Sequence, residues 1–213
     1  MKKALVIGAT GLVGTELVHQ LLENNSYSEV VSFVRHASGT NHPKLSEHIV
    51  DFDKPNEWKE LLKGDVLYSA LGTTIAKAKT KDNQHKVDFT YQYQTAKTAS
   101  ENGVKSYILV SAAGANPTAL TFYMNMKGEL EKEIKRLPFD KLQIFRPGQL
   151  DGNRIEKRTG EKIALKAIYF INKLGLLKRY RPIQAEELAK AMIISAEKNS
   201  SGIYTLDEIF RLI

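Results

Sequence analysis

Short apolar runs alternate with helix-length segments along the whole chain. Because parallel strands need a connection of about a dozen residues, usually a helix, this alternation predicts an α/β fold with a doubly wound parallel sheet. No linker composition interrupts the pattern, so residues 1–213 are predicted to form a single domain, to which residues 149–213 add a small C-terminal appendage on the substrate side. The strands are predicted at residues 4–7, 30–34, 48–52, 66–70, 107–110, 142–145 and 203–206, and the later helices at 56–62, 88–100, 122–137, 162–174 and 185–196.

The composition excludes several classes of protein. Hydrophobic residues make up 42% of the chain and charged residues 26%, which is ordinary for a folded globular protein and argues against disorder. The absence of cysteine excludes disulfide frameworks, thiolate catalysis and zinc fingers, and we assign no metal site. No apolar stretch approaches the roughly 18 residues that span a bilayer, so no membrane partner is expected. The N-terminal sequence MKKALVIG is interpreted as a strand rather than a secretion signal, and the expected location is cytoplasmic.

The net charge of +7 is concentrated in one segment. Residues 154–181 contain nine Lys or Arg residues and two Glu residues, a local balance of nine minus two, or +7. The simpler interpretation is a solvated basic face; the alternative is attraction of an anionic partner such as a phosphorylated ligand, a nucleic acid or a membrane surface. The aromatic residues of this segment do not interleave with the basic ones in a recognisable nucleic-acid motif, so binding of nucleic acid is not expected.

A glycine-rich turn, GATGLVG, joins the first predicted strand to the first predicted helix. Gly8 permits the tight turn, Gly11 lets the backbone approach a pyrophosphate, and Gly14 lets the helix pack closely on the strand. Amide groups at the start of the helix then face the phosphates. This context favours a dinucleotide-binding Rossmann fold over a glycine turn that is merely structural.

The residue that distinguishes NAD from NADP is expected at the end of the second strand, about 20 positions beyond the glycine turn. That position is Arg35, whose guanidinium matches the 2′-phosphate of NADP, whereas an acidic residue there would bind the ribose of NAD. We therefore predict NADP as the preferred cofactor, with NAD as the alternative. Asp51 and Phe52, at the end of the third predicted strand, are candidates for the edge and face of the adenine.

A tyrosine followed four residues later by a lysine places both side chains on one helix face, where the ammonium favours the phenolate. The chain contains this spacing three times, at Tyr93/Lys97, Tyr123/Lys127 and Tyr169/Lys173. Only Tyr123 opens a helix shortly after a strand that ends in a hydroxyl residue, Ser111. The position predicts Ser111, Tyr123 and Lys127 as the catalytic residues, and the other two pairs as packing and surface residues.

The sequence resembles the short-chain dehydrogenases/reductases in their extended or atypical form. GATGLVG matches the GxxGxxG fingerprint of that branch, and Ser111, Tyr123 and Lys127 match its Ser-Tyr-Lys triad. The segments SALGTT, VSAAGAN, YMNMKGELE and FRPGQLDGNR are similar to the Tat-interacting-protein oxidoreductase group of atypical enzymes and its bacterial relatives. The likeness covers nearly the whole chain. The short C-terminal segment leaves less substrate-binding structure than sugar-nucleotide epimerases carry, which argues against a large nucleotide-sugar substrate.

The resemblance implies a set of cofactor-binding positions. Lys127 would also hold the nicotinamide ribose, and the turn after the sixth strand would lie beside the nicotinamide. The implied cofactor-binding residues are Gly8, Thr10, Gly11, Leu12, Val13 and Gly14 in the phosphate turn, Arg35 at the 2′-phosphate, Ser69, Ala70, Leu71 and Gly72 beyond the fourth strand, and Arg146, Pro147 and Gly148 in the later turn.

The predicted function is NADPH-dependent reduction of a small carbonyl substrate. Tyr123 would donate a proton to the developing alkoxide, and Ser111 would hydrogen-bond the carbonyl oxygen. The alternative is an NADP(H)-binding sensor or regulator with little or no turnover, because fold alone does not establish function. The partner is expected to be a small molecule, and the protein a monomer or homodimer.

Overall fold

The protein is described here by a computed structural model that covers residues 1–151 and 181–213. The described residues form a seven-stranded sheet whose neighbours all pair in parallel, in the order β3-β2-β1-β4-β5-β6-β9. A second, two-stranded parallel sheet consists of β7 and β8. The strands are β1 (Lys2–Ile7), β2 (Tyr27–Val34), β3 (Leu45–Ile49), β4 (Val66–Ser69), β5 (Ser106–Val110), β6 (Lys141–Arg146), β7 (Leu150–Asp151), β8 (Ile183–Gln184) and β9 (Gly202–Thr205).

Helices connect the strands and cover both faces of the sheet. The α-helices are α1 (Leu12–Glu23), α2 (Ile75–Ala78), α3 (Lys81–His85), α4 (Tyr91–Glu101), α5 (Phe122–Ile134), α6 (Ala185–Ala196) and α7 (Asp207–Phe210). One turn of π-helix, Lys86–Thr90, joins α3 to α4. The predicted α/β class and doubly wound parallel sheet are confirmed.

The central strand β1 shows why this chain makes a sheet buried on both sides. Its residues Ala4, Leu5, Val6 and Ile7 are all fully buried. Side chains alternate between the faces of a strand, so Ala4 and Val6 contribute to the hydrophobic cluster under α1 and α6, whereas Leu5 and Ile7 contribute to the cluster under α4 and α5. An uninterrupted apolar run is what a parallel strand with two covered faces requires.

The strand order indicates where along the sheet a ligand is expected to bind. From β1 the chain moves outward through β2 to β3, then crosses back to β4 on the other side of β1 and continues to β5, β6 and β9. The carboxyl ends of β1 and β4 therefore flank the point where the strand order reverses. In doubly wound sheets, ligands bind in the crevice outside the strands at this reversal.

Several predicted elements differ from the structure in type or in bounds. The third strand runs over Leu45–Ile49 rather than 48–52, because the apolar residue Phe52 is buried beside Trp58 and not in the sheet. The predicted helix at 56–62 consists of two short 3₁₀ turns. The predicted helix at 88–100 is α4, which begins only at Tyr91 after the π turn. The predicted helix at 162–174 lies outside the described residues.

The described residues of the C-terminal segment join the main sandwich. Strand β9 pairs with β6 at the edge of the main sheet, and helix α6 packs against α1. The helix begins with a capping box, in which the Gln184 backbone amide donates to the Glu187 carboxylate, 3.0 Å. The role of residues 149–213 on the substrate side stays a prediction.

Candidate active site

At two positions in the turn between β1 and α1, the surrounding backbone leaves no space for a residue larger than glycine. Gly8 has a φ of +81°, and a Cβ built on it would lie 2.4 Å from the backbone of Ala70 and Leu71. A Cβ on Gly14 would lie 1.9 Å from the carbonyl oxygen of Gly8. Side-chain atoms cannot approach backbone this closely, so the turn, the helix and the end of β4 are pressed together. This is the packing that the glycine fingerprint predicts.

Helix α1 starts at this turn with its first amides not capped by a side chain. Gly11 is the residue before the helix, and the Gly11 amide donates to the carbonyl of Gly8 across the turn, 2.9 Å. The first turn of α1 contains no acidic residue that would repel an anion. Thr10 is exposed, Leu12 is partly buried and Val13 is buried. The predicted phosphate-turn residues therefore lie together at the amino end of α1, where an anion is favoured.

The residues predicted to bind the adenosine half follow β2 and β3. Arg35 comes directly after the last residue of β2 and is exposed. Asp51 and Phe52 lie just beyond β3, but Phe52 is 5% exposed, with its ring 5.4 Å from that of Trp58. The Asp51 carboxylate accepts the backbone amide of Asp53 within the turn, 2.9 Å. Contact of these residues with an adenine stays a prediction.

The segment after β4 is fixed by hydrogen bonds to the π turn and α4. Ser69 is buried and donates its hydroxyl proton to the side-chain oxygen of Gln92, 2.8 Å. The backbone amide of Thr73 donates to the carboxylate of Asp88, 2.8 Å. Asp88 also lies 3.2 Å from a Cβ built on Gly72. The backbone of Ala70 and Leu71 packs against Gly8, so this segment lies beside the glycine turn, and its contact with a cofactor stays a prediction.

Tyr123 and Lys127 occupy successive turns of α5. The Tyr123 side chain is exposed to 37%, whereas Lys127 is exposed to only 2%. The Lys127 ammonium lies 3.3 Å from the carboxylate of Asp88, which is itself 1% exposed. Lys127 is therefore held as one half of a buried ion pair next to the segment after β4.

Ser111 follows the last residue of β5 and makes a contact that the sequence did not predict. Its hydroxyl donates to Oε1 of Glu131, 2.6 Å, and Glu131 also accepts two hydrogen bonds from Arg146, from Nε at 2.9 Å and from Nη2 at 2.5 Å. Glu131 is 1% exposed. The hydrogen bonds from Arg146 to this carboxylate raise the pKa of the guanidinium. The structure thus brings Ser111 to Glu131, and contact of Ser111 with a substrate stays a prediction.

The turn after β6 is continuous with the segment after β5. The Ala113 amide donates to the carbonyl of Pro147, 2.9 Å. A Cβ on Gly148 would lie 3.1 Å from the side chain of Leu206, which follows β9. Arg146, Pro147 and Gly148 therefore lie at the carboxyl edge of the sheet, beside the ends of β5 and β9. Their predicted place next to a nicotinamide is not tested by these contacts.

In the competing Tyr-Lys pair on α4, Lys97 is exposed, whereas Tyr93 is half-buried against the hydrophobic cluster under α4 and α5. Lys97 lies 3.9 Å from Glu101 in an exposed pair, and the ring of Tyr93 stacks on Phe89 at 6.1 Å. Tyr169/Lys173 lies outside the described residues, as does the basic segment 154–181 apart from Arg181.

Sequence reasoning missed Asp88 and Glu131. Glu131 follows Lys127 by four residues, so the same spacing that selects Tyr123 and Lys127 could have selected it as the third residue of one helix face. Asp88 carries no local signal, because its partner Lys127 lies 39 residues further along the chain.

The fold and the glycine turn are those of an NAD(P)-binding Rossmann protein. The chain matches the family model described as NAD(P)H-binding over residues 8–167, and it belongs to that family. Among curated proteins it is similar to the protein FMP52, mitochondrial, of Candida albicans, with 34% identity over 203 residues, covering 92% of this chain and 89% of the relative. The FMP52 protein of Kluyveromyces lactis is 36% identical over 193 residues, covering 88% and 86% of the two chains.

Solved structures confirm the fold. The UDP-N-acetylglucosamine 4-epimerase of Methanobrevibacter ruminantium, in complex with UDP-N-acetylmuramic acid, superposes with a TM-score of 0.73 at 17% identity, over 99% of this chain and 80% of that one. The enzyme WbmH of Bordetella bronchiseptica, in complex with NAD⁺, gives a TM-score of 0.72 at 16% identity, over 96% and 76% of the chains. At such low identity the likeness concerns the fold alone. The predicted resemblance to an atypical short-chain dehydrogenase/reductase is confirmed.

Two predictions about cofactor and location change in the light of these relatives. A nicotinamide cofactor is supported by the NAD(P)H-binding family, but the preference for NADP is not. The predicted cytoplasmic location is wrong, because the FMP52 relatives are named as mitochondrial proteins. In the part of the chain that the structure describes, no helix is long and apolar enough to cross a membrane.

Proposed function

We propose that this protein is an NADPH-dependent oxidoreductase that reduces a small carbonyl substrate, with Tyr123 as the proton donor. The observation that carries the proposal is the buried pair of Lys127 and Asp88, 3.3 Å apart. Asp88 also binds the Thr73 amide, so Lys127 is held against the segment that lines the crevice after β4. A buried lysine beside a dinucleotide crevice, one helical turn from an exposed tyrosine, supports acid catalysis by that tyrosine.

The residues at the glycine turn fit a dinucleotide. Glycine at Gly8 and Gly14 lets the turn, α1 and the end of β4 pack closely, the first amides of α1 are not capped by a side chain, and the first turn of α1 has no acidic residue to oppose a pyrophosphate. The residues that would hold the cofactor are those of the phosphate turn, the segment after β4, Lys127 and the turn after β6. Arg35, exposed at the end of β2, supports NADP over NAD because a guanidinium pairs with a 2′-phosphate.

The side chains on α5 would handle the proton. NADPH, when bound, would supply a hydride to the carbonyl carbon, and the Tyr123 hydroxyl would donate the proton that completes the alcohol. The ammonium of Lys127 stabilises the phenolate that remains, because both residues lie on one face of the helix. Acid catalysis by a positioned side chain contributes about 10²–10⁴ in rate. The Ser111 hydroxyl is not needed in this scheme, since its proton is donated to Glu131.

The test is oxidation of NADPH by the purified protein across a panel of aldehydes, ketones and quinones, followed by the loss of reduced-nicotinamide absorbance. We expect turnover with at least one of these classes and faster turnover with NADPH than with NADH. A protein that binds NADPH but oxidises it with no member of the panel would contradict the enzyme and support the alternative, a sensor of the NADP(H) state.

A further inference from the structure

Helix α5 carries an acid and a base on the face that bears Tyr123. Tyr123, Lys127 and Glu131 follow one another at intervals of four residues, so their side chains lie in one row. Lys127 is paired with Asp88 from the π turn, and Glu131 is paired with Arg146 from the end of β6. The row is therefore attached to two different elements by two ion pairs, one fully buried with the base on α5 and one partly buried with the acid on α5.

The Glu131 carboxylate joins three elements of the fold. Oε1 accepts hydrogen bonds from the hydroxyl of Ser111, after β5, and from Nε of Arg146, while Oε2 accepts from Nη2 of Arg146. The ammonium of Lys135, the residue directly after α5, lies 3.9 Å from Oε2. These contacts fix how α5 is rotated about its axis and how closely it approaches the ends of β5 and β6. The position of Tyr123 depends on both quantities.

The hydroxyl of Ser111 is hydrogen-bonded to a turn of α5 that lies far along the helix from Tyr123. Glu131 follows Tyr123 by eight residues, which is about 12 Å along a helix axis. Beyond Ser111 the chain runs back along α5: a Cβ on Gly114 would meet Met124 at 2.6 Å, and the Asn116 amide donates to the Met124 carbonyl, 3.1 Å. Asn125 also donates to the Pro117 carbonyl, so the backbone next to the first turn of α5 is 114–117, and no serine or threonine occurs at these four positions.

We propose that Glu131 is a positioning residue for Tyr123 and Lys127, and that Ser111 acts by holding Glu131 rather than by binding the substrate. This inference rests on the proposed function, because it assigns the residues that orient its proton donor. It removes Ser111 from the groups that touch the carbonyl, and it makes Arg146 a partner of Glu131 at the edge of the site.

The test is a double-mutant cycle with Ser111→Ala, Glu131→Gln and the combination of the two, measured as kcat and KM with an active carbonyl substrate. Ser111→Ala should lower kcat by less than tenfold, because Arg146 still holds the carboxylate. Glu131→Gln should lower kcat by about 100-fold with little change in KM, since a displacement of about 1 Å has an effect of this size. Adding Ser111→Ala to Glu131→Gln should change nothing further, because the two residues act through one contact.

The matched control is Glu133→Gln, which removes a carboxylate of the same helix that pairs with Arg136 on the outer surface. The proposal is overturned if Ser111→Ala lowers kcat by 100-fold or more in both backgrounds, or if Glu131→Gln behaves like Glu133→Gln. Should Glu131→Gln fail to fold, Ser111→Ala alone still decides, because it removes a single hydroxyl.

A readout without turnover separates this inference from the proposed function. If the wild-type protein binds NADPH but reduces no carbonyl, the proposed function fails, and the same variants are compared by the fluorescence of bound NADPH. Glu131→Gln should then shift the emission, because Lys127 beside the nicotinamide ribose moves with α5, whereas Glu133→Gln should not. Identical emission in both variants overturns the positioning role.

Discussion

Tyr123→Phe is expected to lower kcat by about 10²–10⁴-fold and to leave the affinity for NADPH unchanged. The substitution removes only the hydroxyl that donates the proton. Within the described residues that hydroxyl has no hydrogen-bond partner, and the side chain is 37% exposed, so its loss should not disturb folding. The measurement is kcat with the best substrate of the carbonyl panel, together with calorimetric titration of NADPH.

Tyr93→Phe is the matched control. Tyr93 also precedes a lysine by four residues, but its ring packs on Phe89 and Lys97 pairs with Glu101 at the surface. This variant should keep wild-type turnover. Retained turnover in Tyr123→Phe would remove Tyr123 as the proton donor, and an equal loss in both variants would show that the effect is structural.

Asp88→Asn is expected to lower the free energy of unfolding by about 3–5 kcal/mol, because it leaves the ammonium of Lys127 buried without its counter-charge. The asparagine can still accept the Thr73 amide, so the substitution tests the charge rather than that hydrogen bond. The exposed pair of Asp140 and Lys105, 3.8 Å apart, provides the control. Asp140→Asn should change the free energy of unfolding by no more than about 1 kcal/mol. Both values are measured by denaturant unfolding.

The double variant with Asp88→Asn and Lys127→Met tests whether the loss of stability comes from the unpaired buried charge. Removing both charges leaves no uncompensated ion in the core, so the double variant should be more stable than Asp88→Asn alone. It should nevertheless be inactive, because the lysine is missing from the face of Tyr123. If Asp88→Asn alone is as stable as Asp140→Asn, the conclusion that this ion pair is buried and held by the fold is contradicted.

Local signals in the sequence predict much of the fold. The apolar run over 4–7 predicts β1, and the spacing of Val13 and Leu17 predicts α1, because period and burial are local properties. The third strand is less well placed, since Leu45–Ile49 is a half-exposed edge strand and the apolar residue Phe52 beyond it packs on Trp58. The π turn before α4 shifts the helix start, and hydrophobic periodicity does not reveal such a turn.

The same difference between local signals and tertiary contacts applies to the candidate site. The glycines of the phosphate turn could be predicted because the positive φ of Gly8 and the close contact of Gly14 with the Gly8 carbonyl arise within the turn and the helix that adjoins it. The partners of Lys127 and Ser111 could not, because Asp88 and Glu131 reach them only through the packing of separate elements. The sequence identifies side chains able to do chemistry, whereas the tertiary structure decides which of them are bound to one another.

The most direct test of the cofactor assignment is a calorimetric titration of the purified protein with NADPH and, separately, with NADH. It is repeated on Arg35→Ala and on Arg136→Ala, which removes an exposed arginine of α5 as the control. We expect NADPH to bind at least tenfold more tightly than NADH, and Arg35→Ala alone to lose that margin of about 1.4 kcal/mol. If neither nucleotide binds, the glycine turn is structural and the proposed function is wrong.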